Sequence, residues 1–118
     1  MKRVLVVDDE QNILLLYQRE LAAAGYQVDA VATVEAAQTA FTTAPPDLIV
    51  LDIKLTPQDG GLDVLRWFRE RNRTLPIVLN TAYPSYKADF STWLADAYLV
   101  KSSNLDELKA TVAKLLEP

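Results

Sequence analysis

The chain has 118 residues, 50% of them hydrophobic and 24% charged, with a formal net charge of −4. That describes one globular domain with room for a core but not for a second one, and the acidic balance argues against nucleic acid as a partner, since no basic excess is available to neutralise phosphates. With no cysteine and no histidine, disulfides, thiolate or imidazole metal sites, a histidine general base and a phosphohistidine on this chain are all excluded. No apolar run approaches the roughly 20 residues of a membrane span. The start, MKRVLVVDDE, is basic then apolar like a signal peptide, but its acids arrive too early, and VLVV is better read as a strand. A reducing cytoplasm is the expected compartment.

Strand-like runs alternate with helical periods, which predicts a parallel sheet covered by helices. The first strand is expected over about residues 3–8. Ile13, Leu14, Tyr17, Leu21 and Ala24 then share one helical face, and Gly25 closes that helix as a left-handed terminal residue. Residues 27–31 read as a more polar, edge strand, and Thr33 as the cap of a second helix ending before Pro45-Pro46. Residues 48–51 are continuously apolar, as in strands buried on both faces. After a loop with Pro57, Gly60 and Gly61, a third helix turns Leu62, Leu65 and Phe68 inward, and the run RWFRERNR reads as its solvated face. Residues 77–80 and 97–100 are the fourth and fifth strands, with a short helix expected between them over 85–95. Asn104 and Glu107 form a capping-box pattern for a last helix that buries Leu105, Leu108, Val112 and Leu115.

The expected fold is therefore α/β: a doubly wound, five-stranded parallel sheet of order 2-1-3-4-5 with about five helices, a flavodoxin-like three-layer sandwich. In such a sheet the carboxyl ends of the strands share one edge, where open α/β sheets bind ligands. Asp8-Asp9, Asp52, Thr81 and Lys101 close four of the five runs. Three carboxylates, a hydroxyl and an ammonium thus converge, a set able to hold a divalent metal and to offer a carboxylate nucleophile to a phosphoryl group.

With VLVVDDE at the start, LIVLDI ahead of a Pro/Gly loop, a strand ending in Thr81-Ala82, and AYLVK, in that order, the chain resembles the receiver (CheY-like) domain of two-component response regulators over its whole length. The resemblance implies a single receiver domain over residues 1–118, with no output domain in this chain. It implies Asp52 as phosphoacceptor and a Mg²⁺ (or Mn²⁺) ion held by Asp8, Asp9, Asp52 and the backbone carbonyl of Lys54. Thr81 and Lys101 become the phosphate contacts, and Thr81 with Tyr98 the switch pair. Implied partners are a sensor histidine kinase or histidine phosphotransfer protein and a downstream protein, with no direct nucleic-acid binding and no membrane contact. Turnover is not its purpose: self-catalysed phosphotransfer and autodephosphorylation are the only chemistry expected.

Two departures from the family pattern stand out. Pro57 comes one residue late in a loop with one extra residue, and Ser102 replaces the proline that usually follows the lysine, removing the main reason for a cis Lys101–Ser102 bond, which costs about 2.5–4 kcal/mol before other residues. The segment AYPSYKADFSTWLADAY sets Tyr86, Phe90 and Trp93 on the family's signalling surface, suited to a partner or a homodimer, and Tyr83 where its ring would shield a phosphate from water. The alternative function is a receiver-like docking or dimerisation module independent of phosphorylation. A Mg²⁺-dependent phosphohydrolase with an aspartate nucleophile is disfavoured, because Lys54 stands where its acid/base aspartate belongs. A nucleotide-binding fold is disfavoured because no Gly-rich phosphate loop follows the first strand.

Overall fold

A computed structural model describes residues 1–52, 60–81, 95–101 and 104–117, with backbone only for 60–63 and 81. Its elements run β1 (Arg3–Val7), α1 (Gln11–Ala23), β2 (Gln27–Val31), α2 (Val34–Thr43), β3 (Leu48–Leu51), α3 (Gly60–Arg71), β4 (Ile77–Thr81), β5 (Ala97–Val100) and α4 (Asp106–Leu116). The strands form one sheet of order β2-β1-β3-β4-β5 with every neighbouring pair parallel, as the alternation of strand and helix periods predicts. Four helices lie among the described residues; the helix expected over 85–95 falls largely outside them, as do Leu62's side chain, Pro57 and the Lys101–Ser102 bond.

Side chains alternate across a strand, and each face of this sheet carries its own core. Val4, Val6, Leu48, Val50, Val78 and Leu99 pack with Leu14, Tyr17 and Leu21 of α1 and Leu108 and Val112 of α4. On the other face Leu5, Val7, Ile49, Leu51, Ile77 and Leu79 pack with Ala37 of α2 and Leu65 and Phe68 of α3. The central strands β1 and β3 are apolar at nearly every position because both faces are covered, whereas β2, at an edge, stays half-exposed. Each fully buried Leu, Val or Phe contributes about 1.5–3 kcal/mol of transfer free energy.

Local chemistry sets the helix ends. Thr33 accepts the Ala36 amide through Oγ1 at 3.1 Å, capping α2. Gly25, at φ 103°, follows the C-cap of α1, in the left-handed region that a Cβ disfavours. Ala24 is itself that C-cap and is exposed, so the apolar face of α1 ends at Leu21; the spacing that assigned Ala24 to it ran past the end of the helix. α4 starts at Asp106 with Leu105 as N-cap, and Asn104 closes its first turn from one residue earlier, accepting the Asp106 amide at 2.9 Å.

The arginine run is only partly solvated. Arg66, Arg71 and Arg73 are exposed, but Arg71 stacks its guanidinium 3.6 Å from the Trp67 ring centroid. Arg69 turns inward, donating to the Leu75 carbonyl at 2.5 Å and pairing with Asp96 at 2.8 Å. Asp96 in turn accepts the Ile77 amide at 2.8 Å. A forked cation can satisfy the turn before β4 and the entry to β5 together, which an isolated solvated face cannot do.

Candidate functional site

The register delivers the predicted acids to one place. Val7 pairs with Leu51 in the β1–β3 ladder, and the Asp52 amide continues it by donating to the Val7 carbonyl at 3.0 Å. The Asp8 amide does the same toward β2, donating to Val31 at 3.1 Å. By strand alternation Asp8, Asp52, Asn80 and Lys101 follow Val6, Val50, Val78 and Leu99, the row that faces α1 and α4. The site therefore opens above the helix layer made by α1 and α4.

Asp8 and Asp52 are 2% and 1% exposed. Two such carboxylates need a counter-charge, and Lys101 brings it from the end of β5. Its Nζ lies 2.6 Å from Asp8 Oδ2, 3.0 Å from Asp52 Oδ2 and 3.6 Å from Glu10 Oε1. Burial alone would push this ammonium's pKa down; its hydrogen bonds to Asp8 and Asp52, and their charges, outweigh burial and hold it above the ordinary lysine range. The lysine thus stays charged across the physiological range.

The loop after β1 is shaped by the same acids. Asp8 Oδ1 accepts the Glu10 amide at 2.9 Å, an Asx turn that starts α1 without a side-chain cap from Glu10 itself. The turn leaves Asp9 and Glu10 exposed and brings carboxylate oxygens of Asp8, Asp9 and Glu10 within 4.8 Å of one another. An all-oxygen donor set in a chain without histidine or cysteine fits a hard divalent cation such as Mg²⁺.

Not every expected residue can be placed. Thr81 ends β4 with its backbone paired to Val100, which sets it at the same edge. Tyr98 pairs with Leu79 in the ladder and packs, partly buried, against the core cluster on the Leu79 side of the sheet. Lys54, Tyr83, Tyr86, Phe90 and Trp93 lie outside the described residues. Glu10 was not singled out from the sequence, although its place in the run DDE was the available signal. Nor was the buried pair of Tyr17 and Asn80, in which the Asn80 carboxamide donates to the Tyr17 hydroxyl at 2.6 Å; one polar residue inside IVLNT marked it.

A 2-1-3-4-5 parallel sheet carries a buried aspartate at its switch point, with an acidic turn beside it and a lysine reaching across, at the edge where open α/β sheets place their sites. The chain belongs to the response regulator receiver domain family of two-component systems, whose family model matches residues 4–113. It is 36% identical over 120 residues to the alkaline phosphatase synthesis transcriptional regulatory protein PhoP of Bacillus subtilis, a match covering 98% of this chain and 48% of PhoP. It is 28% identical to the regulatory protein AtoC of Escherichia coli, where the match covers 98% of this chain and 25% of AtoC. The chain thus spans half or less of these relatives' lengths.

Among solved structures it is similar to the response regulator TrrA of Thermotoga maritima in complex with Mg²⁺ and BeF, with a TM-score of 0.89 and 46% identity, covering 98% of this chain and 100% of TrrA. TrrA has also been solved in complex with the histidine kinase ThkA, with a TM-score of 0.87, 46% identity and coverage of 99% and 100%. No helix among the described residues is long and apolar enough to cross a membrane.

Proposed function

We propose that this domain accepts a phosphoryl group on Asp52 from a phosphohistidine donor, a sensor kinase or phosphotransfer protein, and presents the altered surface to a downstream protein. The observation that carries the reading is Asp52 itself: a carboxylate 1% exposed, ending a fully buried strand, with Lys101 Nζ at 3.0 Å as its counter-charge. A carboxylate so placed is held in one orientation at the ligand-binding edge.

In the step, a carboxylate oxygen of Asp52 attacks phosphorus in line. A P–O bond forms, the P–N bond to the donor imidazole breaks, and the imidazole leaves with a proton. Lys101 follows the negative charge from the carboxylate to the phosphoryl oxygens, for which a single ammonium on a flexible stem is suited. Asp8, Asp9 and Asp52, with the Lys54 carbonyl, are the proposed ligands of Mg²⁺, and Glu10 is close enough to join them or to hold a bound water. When bound, the cation supplies neutralisation of the transferring oxygens. TrrA's complex with Mg²⁺ and BeF, the latter a tetrahedral phosphoryl mimic, supports both roles, and its complex with ThkA supports the class of donor.

The acyl phosphate carries about −1.5 to −2 charges where the Asp52 carboxylate carried one, so negative charge grows beside Asp8. Thr81, at the same edge, contacts the phosphoryl group, and Tyr98 on the neighbouring strand follows Thr81 as the switch residue. The domain's chemistry extends no further than its own phosphorylation and hydrolysis.

The test is incubation with Mg²⁺ and acetyl phosphate, followed by intact mass, beside Asp52→Asn. A phosphoryl adduct on the wild type, absent from the variant and abolished by EDTA, is the expected result. No adduct with acetyl phosphate or with any candidate kinase would overturn it in favour of phosphorylation-independent docking.

A further inference from the structure

Asn80 ends the apolar run Ile77–Leu79 of β4, and it does so beside Asp52. The β3–β4 ladder pairs Val50 with Val78 and Leu51 with Leu79; one more rung sets Asn80 next to Asp52, about 5 Å away between backbones. Asn80 shares that rung's orientation toward α1 and α4 and is 3% exposed. A buried carboxamide is costly without a partner, and its partner comes from another layer of the sandwich: the hydroxyl of Tyr17 on α1, itself 2% exposed and 2.6 Å away.

The bond therefore joins two elements that meet at the site from different sides. β4 ends one residue later, at Thr81. α1 begins directly after the acidic turn of Asp8, Asp9 and Glu10. Tyr17 is near enough to the pocket that the charges of Lys101, Asp8 and Asp52 all act on its hydroxyl. The narrow crevice beside the pair is lined by Leu99, Asn104, Leu105 and Leu108. An apolar residue at position 80 would pack there as the rest of the strand does; the polar pair instead fixes one spacing and one rotation between β4 and α1.

We propose that Asn80 and Tyr17 are positioning residues for phosphoryl transfer at Asp52: their hydrogen bond holds the carboxyl end of β4, and with it Thr81, at working distance from the acidic turn carried by α1. This rests on Asp52 being the phosphoacceptor. Neither residue touches the transferring group; both act through the strand end and the helix start.

The test uses Tyr17→Phe, Asn80→Leu and the double variant, measuring phosphorylation by acetyl phosphate at saturating Mg²⁺, the Mg²⁺ half-saturation point and the urea midpoint. Replacing both partners by apolar groups leaves no orphaned polar atom, so the double variant should regain a midpoint near wild type. Its phosphorylation rate constant should nonetheless stay about three- to tenfold low, with Mg²⁺ half-saturation unchanged and no further loss beyond that of either single variant. A purely structural pair predicts that the rate returns with the midpoint, and a double variant phosphorylated at the wild-type rate would overturn the proposal. Should the double variant not fold, Tyr17→Phe, which removes one oxygen and keeps the ring, decides the matter by the same rate. Failure of the wild type itself to take an Asp52 adduct would instead overturn the receiver chemistry on which the positioning depends.

Discussion

Replacing Lys101 by methionine isolates the charge balance of the pocket. Methionine keeps most of the stem's volume and removes the ammonium from between Asp8 and Asp52, whose side chains are 2% and 1% exposed while that of Lys101 is 10% exposed. Two buried carboxylates then face each other without their cation. Removing one partner of a buried ion pair costs about 3–5 kcal/mol, a large part of the 5–15 kcal/mol that typically holds a domain together, roughly speaking. With a urea slope of about 2 kcal/mol per molar, the unfolding midpoint should fall by about 1.5–2.5 M. Because Lys101's folded-state pKa is raised, its contribution is complete below the ordinary lysine value of 10.5 and is lost only as pH rises past it toward the folded value. Titration of Lys101 itself therefore leaves the gap between wild type and variant flat from about pH 6 to 9. Mg²⁺ should repair the variant more than it stabilises the wild type, since the ion replaces the missing counter-charge; at a hundredfold excess over its dissociation constant the gain is about 2.7 kcal/mol. Urea denaturation with and without Mg²⁺ reads both effects. A loss below about 1 kcal/mol, the scale of an exposed pair, together with equal Mg²⁺ responses, would refute the view that Lys101 balances a desolvated pair.

Two further outcomes follow from local geometry. Gly25→Ala should lower stability by about 1 kcal/mol, roughly 3–5 °C in thermal midpoint, through backbone strain alone, because φ is 103° and nothing lies within 4 Å of an added Cβ; a far larger loss in calorimetry would point to a clash that this geometry lacks. Burial pushes the Tyr17 hydroxyl above the ordinary tyrosine range despite the opposing Asn80 hydrogen bond. Stability should therefore be unaffected by Tyr17 below its ordinary value of 10.0 and fall as pH rises beyond it. Absorbance titration of the phenolate, compared with Tyr17→Phe, checks this: deletion should remove a component that ionises above the ordinary range, and loss of an ordinary-range component instead would contradict the burial argument.

The sheet was readable because its signals are local. An unbroken apolar run at Leu48–Leu51 can be buried on both faces only in the middle of a covered sheet, and the more polar run at Gln27–Val31 belongs at an edge. Asp52 was legible for the same reason, as the first charge after that buried run. Lys101's convergence with the acids was anticipated, but its shorter contact with Asp8 than with Asp52 and its third neighbour Glu10 were not, because they depend on the turn that Asp8 makes after β1. Tyr17 read as one more apolar tooth of α1 and Asn80 as a strand end. Their partnership spans 63 residues, and periodicity, which reports only which face a residue takes, carries no information about its partner across layers. Ala24 fits the apolar spacing but not the helix, since spacing alone does not show where a C-cap falls.

β5 is one of the sheet's two outer strands, four residues long and, among the described residues, paired only with β4. Outer strands are where amides open first and exchange fastest with solvent. Yet the residue that follows this one is Lys101, anchored to carboxylates at the ends of the two innermost strands. Opening the margin of the sheet therefore means pulling a cation away from two buried anions, so the fraying of β5 is tied to the charge carried at β1 and β3. Amide protection along residues 97–101 becomes a gauge of the pocket's charge, whereas β2, at the opposite margin, has no ion pair to the pocket among the described residues. A marginal strand thus registers what happens at the domain's centre.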